Sequence, residues 1–204
     1  ELDEDSLKEY TQIIINEADR LQNLMNRMLT PHQMPVYKKT NIHEILERVR
    51  SLILSEFPSD ITFIRDYDVS LPEFIVDREK LIQAILNIAR NGAQAMKLSN
   101  QDNMQLSFIT RAERQIVFRK KKHATAIRID IIDNGPGIKN ELIDKIFFPL
   151  VTGNENGSGL GLSLSQTLIS LHQGMIDCNS VPGKTVFSII LPIENNLIPT
   201  KEKK

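Results

Sequence analysis

Two glycine-rich segments lie where apolar runs end or begin, and they constrain the fold more than any other feature of the chain. Asp133-Asn134-Gly135-Pro136-Gly137-Ile138 follows directly on the apolar strand Ile127 to Ile132. Gly157-Ser158-Gly159-Leu160-Gly161-Leu162 opens a helix that runs to about His172. Glycines two apart at a strand end permit a tight turn and close approach by a ligand. Glycines at a helix start expose backbone N–H groups, where the helix dipole favours an anion. By physical logic the second segment is a phosphate cradle. No Gly-Lys-Ser/Thr follows it, so it is not a P-loop. No βαβ unit surrounds it, so it is not a dinucleotide fingerprint.

The elements around these segments alternate. Residues 1–30 read as one helix, with Leu7, Thr11, Ile14, Ala18, Leu21, Met25 and Met28 forming a heptad seam. This helix either packs on its own domain or is one strand of a bundle completed by other sequence. Pro31 and Pro35 end it, and residues 31–40 read as a linker or an extended piece. Asn41 begins a capping box with Glu44, opening a helix that stops near Pro58. Ile61 to Arg65 and Phe74 to Val76 read as short strands. Asp77 caps a long helix to about Met96. Met104 to Thr110, Gln115 to Phe118 and Ala126 to Ile132 read as three strands. Two more, Met175 to Ser180 and Thr185 to Leu191, close a domain spanning 41–195, and 196–204 is a polar tail. This mixture predicts an α+β fold, a two-layer sandwich of a mixed sheet with helices on one face.

Composition narrows the function. Lys plus Arg is 25 and Asp plus Glu is 26, a formal net charge of −1. That argues against a general binder of nucleic acid or of a membrane surface. The basic run Arg119, Lys120, Lys121, Lys122, His123 reads as a solvated hairpin tip, with docking of an acidic partner as the other reading. Cys178 is the single cysteine, which excludes an internal disulfide and fits a reducing compartment. No apolar stretch approaches the ~20 residues that span a bilayer. The chain does not begin with Met, and a fragment of a longer protein is expected.

Two further positions carry candidate chemistry. Asn87 and Asn91 stand at i and i+4 inside the long helix, so both amides leave one face. Their oxygens can accept from water or coordinate a hard cation, although such pairs are also common as plain surface polarity. Asp133 stands where its strand leaves the sheet and can accept from an amino group such as the exocyclic amine of adenine. An ordinary Asp-Asn-Gly turn is the alternative.

In this order the segments resemble the boxes of the GHKL ATPase superfamily, the Bergerat-type fold, and within it the catalytic domain of sensor histidine kinases. Asn87 to Asn91 resembles the N box, Asp133 to Gly137 the G1 box, Phe147-Phe148-Pro149 the F box, Gly157 to Gly161 the G2 box, and Pro182-Gly183-Lys184-Thr185 the G3 region. Arg65-Asp66-Tyr67-Asp68, Ser70-Leu71-Pro72 and the strands around the basic hairpin are similar to the nitrogen-regulation, NtrB-type kinases. The resemblance implies ATP and Mg²⁺ as cofactors, with Asn91 as metal ligand and Asn87 supporting it through its amide or a water. Asp133 would take the adenine amine, with Gly135, Gly137, Ile138 and Thr185 near the base. Phe147, Thr152, Gly157, Ser158, Gly159, Leu160, Gly161 and Leu162 would contribute from the lid and the phosphate cradle. Arg90 reads as a salt-bridge or surface residue, with a phosphate contact as the alternative. One departure is that no basic residue stands at Thr152-Gly153-Asn154, where many such kinases place a lid lysine.

The same resemblance implies a cytoplasmic homodimer that phosphorylates an NtrC-like response regulator and answers to a PII signalling protein, with no nucleic acid and no membrane as partners. The phosphorylated histidine would stand on a helix before Glu1, and residues 1–30 would be the second helix of that dimerisation hairpin. Of the four histidines, His43 precedes Glu44 but lacks the following Asn-Pro and reads as a surface residue at a helix start. His32 is in the linker, His123 on the basic hairpin, and His172 at a helix end where a cation suits the dipole. A nucleotide-gated interaction module without efficient catalysis is the alternative function. An ATPase of the GyrB or MutL type would need a Glu where Asn87 stands.

Overall fold

The computed structural model describes residues 34–58, 60–118, 121–153 and 158–193. The helix expected over residues 1–30, the polar tail, Arg119 and Lys120, and Gly157 lie outside them. The chain enters at strand β1 (Tyr37–Thr40), within the stretch read as linker or extended piece. Helix α1 (Ile42–Glu56) follows, then β2 (Ile61–Asp66), β3 (Phe74–Asp77) and helix α2 (Arg78–Leu98). Strands β4 (Met104–Phe118) and β5 (Lys121–Asp133) form a long hairpin. The short helix α3 (Asn140–Ile143), helix α4 (Gly161–Leu171) and strands β6 (Met175–Val181) and β7 (Lys184–Pro192) complete the order.

The architecture is the expected α+β sandwich. Five strands form one mixed sheet in the order β2-β4-β5-β7-β6, with β2 parallel to β4 and the other pairs antiparallel. Strands β1 and β3 form a separate antiparallel pair. One sheet face is apolar at every second residue: Leu106 and Phe108 on β4, Ile127, Ile129 and Ile131 on β5, Phe187, Ile189 and Leu191 on β7. These meet Ile45, Leu46, Val49 and Ile53 of α1, Leu81, Ile85 and Ile88 of α2, and Leu168 and Ile169 of α4 in one continuous core. The other face carries Arg128, Asp130 and Ser188, linked by Asp130 accepting from Ser188 Oγ at 2.6 Å and from Arg128 Nε at 2.9 Å. A period-2 strand with one polar face belongs to a two-layer fold.

Two local readings change. The hairpin is not three strands. β4 runs unbroken through Arg111–Arg114, where Arg111, Ala112 and Arg114 are exposed and charged side chains can stay solvated within a strand. Gln115, at φ 51°, interrupts pairing without shifting the register, since Arg114 faces Thr125 and Ile116 faces His123. His123 itself is buried, at 3% exposure, not on a solvated tip.

His172 is the second. It is 1% exposed and is not a helix-end cation. Its Nε2 accepts from Asp77 N at 3.0 Å, and its Nδ1 lies 2.8 Å from Leu168 O. A backbone amide only donates and a carbonyl only accepts, so the ring is neutral with its proton on Nδ1. Burial likewise pushes its pKa below the ordinary 6.5. Tyr37 stands edge-on to this ring at 5.9 Å and donates to Leu171 O at 3.1 Å. Asp77 meanwhile caps α2 by accepting from Lys80 N at 3.1 Å, and accepts from Val36 N at 2.8 Å. Chain entry, β3, α2 and α4 are thus joined at one buried point.

This neutral imidazole is fully accommodated above the ordinary imidazole pKa of 6.5. As pH falls through that value the unfolded chain takes up a proton that the fold refuses, so stability declines, by at most about 1.4 kcal/mol per pH unit. Urea unfolding from about pH 7.5 to 5.5 should show this fall in the wild type and a shallower one in His172→Gln. Parallel slopes would rule out His172 as the source.

Candidate functional site

The site is built along α2 and the strand ends it covers. Asp133, the last residue of β5, is 6% exposed and lies in register between Leu106 of β4 and Thr185 of β7. Two glycines make room for its carboxylate. A Cβ on Gly92, inside α2, would stand 2.9 Å from Asp133 Oδ2, and one on Gly135 would stand 2.8 Å from Oδ1. Gly135 N donates to Oδ1 at 3.0 Å. Burial still dominates and pushes the Asp133 pKa above the usual carboxylate range. Such a group gains from any donor brought to it.

The turn after Asp133 is not an isolated Asp-Asn-Gly turn. Asn134 Nδ2 donates to Asn103 O at 2.8 Å, and its Oδ1 accepts from Gln105 N at 2.8 Å. These bonds fasten the turn to the α2–β4 connection. On the other side Gly183 N donates to Gly135 O at 2.9 Å, and Ile138 N donates to Ser180 Oγ at 2.9 Å. Gly137 passes so close to β6 that a Cβ would meet Val181 C at 2.9 Å, and its φ of +83° suits only glycine. Thr185 is 3% exposed and lies 2.9 Å, oxygen to oxygen, from Ser180.

A second group lies where α2 meets the start of α4. Asn87 Nδ2 donates to Gly161 O at 3.4 Å, and the Asn91 amide lies 3.9–4.0 Å from where a Gly161 Cβ would be. Ser165 is fully buried, and its hydroxyl lies 2.9 Å from Gly161 O and 3.0 Å from Ala84 O. It ties the two helices together. Leu160, the N-cap residue of α4, makes no side-chain cap, so the first N–H groups of the helix lack that partner. Arg90 turns away and forks onto Glu56, with Nε 2.8 Å from Oε2.

Of the remaining predicted residues, Leu162 stands in the first turn of α4 and the other described ones lie on the α3–α4 connection. Phe147 is half-buried, edge-on to Phe187 at 6.4 Å, and Leu162 is half-buried against the core. Leu150 N donates to Gly159 O at 3.0 Å, and Gly159 (φ +64°) would bring a Cβ within 2.5 Å of Leu150 C. Ser158 and Leu160 are half-buried beside this contact, and Leu160 N lies 3.5 Å from Ser158 Oγ. Thr152 is exposed on the loop. Sequence reasoning missed Gly92, Ser165 and Ser180, and gave Asn134, inside the Asp133–Gly137 segment, no role of its own. Only Gly92 carried a signal, as a glycine inside a helix directly after Asn91.

A family model of histidine kinase-, DNA gyrase B- and HSP90-like ATPases matches residues 76–195. The chain belongs to this ATPase family. It is therefore a nucleotide-binding domain, and its matched region contains both residue groups described above. It is 47% identical over 192 residues to the sensory histidine kinase/phosphatase NtrB of Vibrio alginolyticus, covering 94% of this chain and 54% of that protein. It is 45% identical over 193 residues to NtrB of Escherichia coli O157:H7, covering 94% and 54%, and 35% identical over 188 residues to NtrB of Rhodobacter capsulatus, covering 91% and 52%. The chain thus spans about half the length of these curated relatives. The fold is shared with the catalytic domain of the histidine kinase ThkA at a TM-score of 0.63 and 24% identity, covering 78% of this chain and 96% of that one. It is shared with full-length ShkA at a TM-score of 0.66 and 20% identity, covering 94% and 40%. Among the described residues no helix is long and apolar enough to cross a membrane.

Gly→Ala inside a helix ordinarily stabilises by about 0.5–1 kcal/mol. At Gly92 the sign should reverse, to a loss of about 1–3 kcal/mol, because the new methyl meets a buried carboxylate. Asp133→Asn keeps the shape and removes the desolvated charge, so the free protein should melt higher at neutral pH. Thermal melts of both variants without ligand check the two signs. A stabilised Gly92→Ala would exclude the proposed packing.

Proposed function

We propose that this chain is the ATP–Mg²⁺-binding catalytic domain of an NtrB-like two-component sensor histidine kinase. The observation that carries the reading is the joining of two subsites by one helix: α2 covers a buried carboxylate through Gly92 and, one position away, presents Asn91 beside the uncapped start of α4. A base-binding pocket and a phosphate-binding helix start held at a set separation suit a nucleoside triphosphate.

The roles follow from donor and acceptor chemistry. Asp133 accepts from the adenine amine, and Gly135, Gly137, Ile138 and Thr185 wall the base. Gly159 and Gly161 offer backbone N–H groups to phosphate oxygens, with Leu160 and Leu162 beside them in the cradle and Gly157, Ser158, Thr152 and Phe147 belonging to the lid. Amide oxygens suit a hard cation, and among the described residues no cluster of three His, Cys, Asp or Glu offers a different site. Asn91 would hold Mg²⁺, with Asn87, already facing Gly161, as support through a water. The bound ATP–Mg²⁺ supplies the γ-phosphoryl group and neutralises its charge. The chain orients it, because phosphoryl transfer needs chiefly positioning and charge stabilisation.

The acceptor is a histidine outside this chain. His43 is half-buried with its Nε2 3.1 Å from Thr110 Oγ1 and its ring stacked on Tyr67 at 4.7 Å. His123 and His172 are buried, and His32 lies outside the described residues. In this reading residues 1–30 are the second helix of a dimerisation hairpin, 31–40 the linker, 41–195 the catalytic domain and 196–204 a polar tail. The whole protein is a cytoplasmic homodimer, relaying phosphate to an NtrC-like response regulator under control of a PII signalling protein. Similarity to NtrB over nearly the whole chain supports these partners.

Titration with a non-hydrolysable ATP analogue and Mg²⁺ tests the site. Asp133→Ala should weaken binding by about one to two orders of magnitude, as expected for losing a hydrogen bond to a charged group. Equal affinity of the two proteins would sink the pocket. Incubated alone with labelled ATP, the chain should stay unlabelled and should label a separate acceptor-helix hairpin in trans. Stable label on any of its own histidines would overturn the acceptor assignment.

A further inference from the structure

We infer that Ser180 is a positioning residue that sets the hydrogen-bond polarity of Thr185 and so makes the base pocket read adenine. This rests on the adenine-nucleotide reading of the same site. Asp133, Thr185 and Ser180 are register partners on three adjacent strands, β5, β7 and β6. They form one row across the end of the sheet, with Asp133 facing Gly92 of α2.

The direction of the hydrogen bonds along this row follows from what each group can do. Ile138 N is a backbone amide and can only donate, so Ser180 Oγ accepts at 2.9 Å. Ser180 Oγ and Thr185 Oγ1 stand 2.9 Å apart, and either could in principle donate. A hydroxyl that accepts a hydrogen bond becomes a better donor, because chained bonds polarise one another. Were Thr185 the donor, both bonds would end on Ser180 Oγ, which its two lone pairs allow, and this polarisation along the chain would be lost. The consistent chain runs from Ile138 N–H to Ser180 Oγ–H to Thr185 Oγ1, which leaves the Thr185 proton for the pocket.

The pocket then presents an acceptor, the Asp133 carboxylate, and a donor, the Thr185 hydroxyl, on neighbouring strands. Adenine offers the complement on its pairing edge: the exocyclic amine donates and the adjacent ring nitrogen accepts. Guanine offers the reverse at both positions, and its carbonyl oxygen would face a carboxylate. Because Ile138 follows Gly137, the same bond that orients Ser180 also fastens the glycine turn against β6. A purely structural role is therefore the competing explanation, and the test must separate the two.

The full chain is titrated with ATP and with its 1-deaza analogue, which keeps the amine and lacks the accepting ring nitrogen, each with Mg²⁺. The wild type should bind ATP about three- to tenfold more tightly than the analogue, the span one neutral hydrogen bond provides. Ser180→Val should lose that preference and bind both nucleotides like the analogue, while Ser180→Thr, which restores the hydroxyl, should recover it. If Ser180→Val weakens both nucleotides by the same factor and the preference survives, Ser180 only braces the turn and the inference falls. The inference also falls if Ser180→Val leaves both affinities unchanged. If the wild type binds neither nucleotide, the adenine reading itself fails and takes the inference with it. Wild-type binding of ATP without any preference over the analogue overturns the inference alone.

Discussion

A carboxylate with almost no water around it organises this molecule. Asp133 ends the central strand β5 and lies under α2, where any side chain larger than glycine at position 92 or 135 would collide with it. An ionised group kept there costs stability, and one backbone bond from Gly135 offsets only part of that cost. The surroundings are arranged to hold the group in place. Asn134 pins the turn on one side, Gly183 and Ser180 on the other, and Thr185 fills the neighbouring strand. The free protein keeps a strained electrostatic position that a ligand's amino group can relieve.

Helix α2 turns this one position into a site with two ends. Gly92 lies over the carboxylate, while Asn91 and Asn87, on the adjoining face, meet Gly161 at the opening of α4. Ser165 fixes α4 to α2 through Ala84 O, so the spacing between the ends is set by helix packing and not by loops. The segment between α3 and α4 is fastened differently. It is anchored by Phe147 on Phe187 at one end and by the Leu150–Gly159 contact across its base, with exposed Phe148 and Leu150 beyond. Rigid elements thus hold the groups of the candidate site, and the segment between α3 and α4 is fastened to the fold at separate points.

At the opposite end of α2, Asp77 and His172 join the entry of the chain to the nucleotide domain. Asp77 caps the same helix that carries Asn91, accepts from Val36, and donates its own N–H to a neutral imidazole at the end of the helix that Gly161 begins. Both site helices therefore meet residues 36–37 through one buried polar cluster. A histidine in this position serves as a neutral hydrogen-bonding strut, and its protonation works against the fold.

What the sequence by itself determined was the list of chemical parts and their order: two amides one helical turn apart, an acid at a strand end, glycines at a helix start, and alternation matched to a two-layer sandwich. Those signals are local, and local chemistry is legible in a string. The boxes that carry the ATPase resemblance, from Asn87 to Thr185, all lie within the region the family model matches for this reason. Only the tertiary structure decided the meanings that depend on burial and on partners distant in sequence. His172 reads as a charged helix end until its burial and its contact with Asp77, 95 residues away, make it neutral. His123 reads as part of a basic tip until it is found buried. Gly92, Asn134 and Ser180 matter because of what lies against them, 41 residues away in the case of Asp133 across from Gly92, 29 for Gln105 to Asn134 and 42 for Ile138 to Ser180. A side chain's protonation, its hydrogen-bond direction and the space a methyl group would need are set by the neighbours that folding brings, and those neighbours are not adjacent in the sequence.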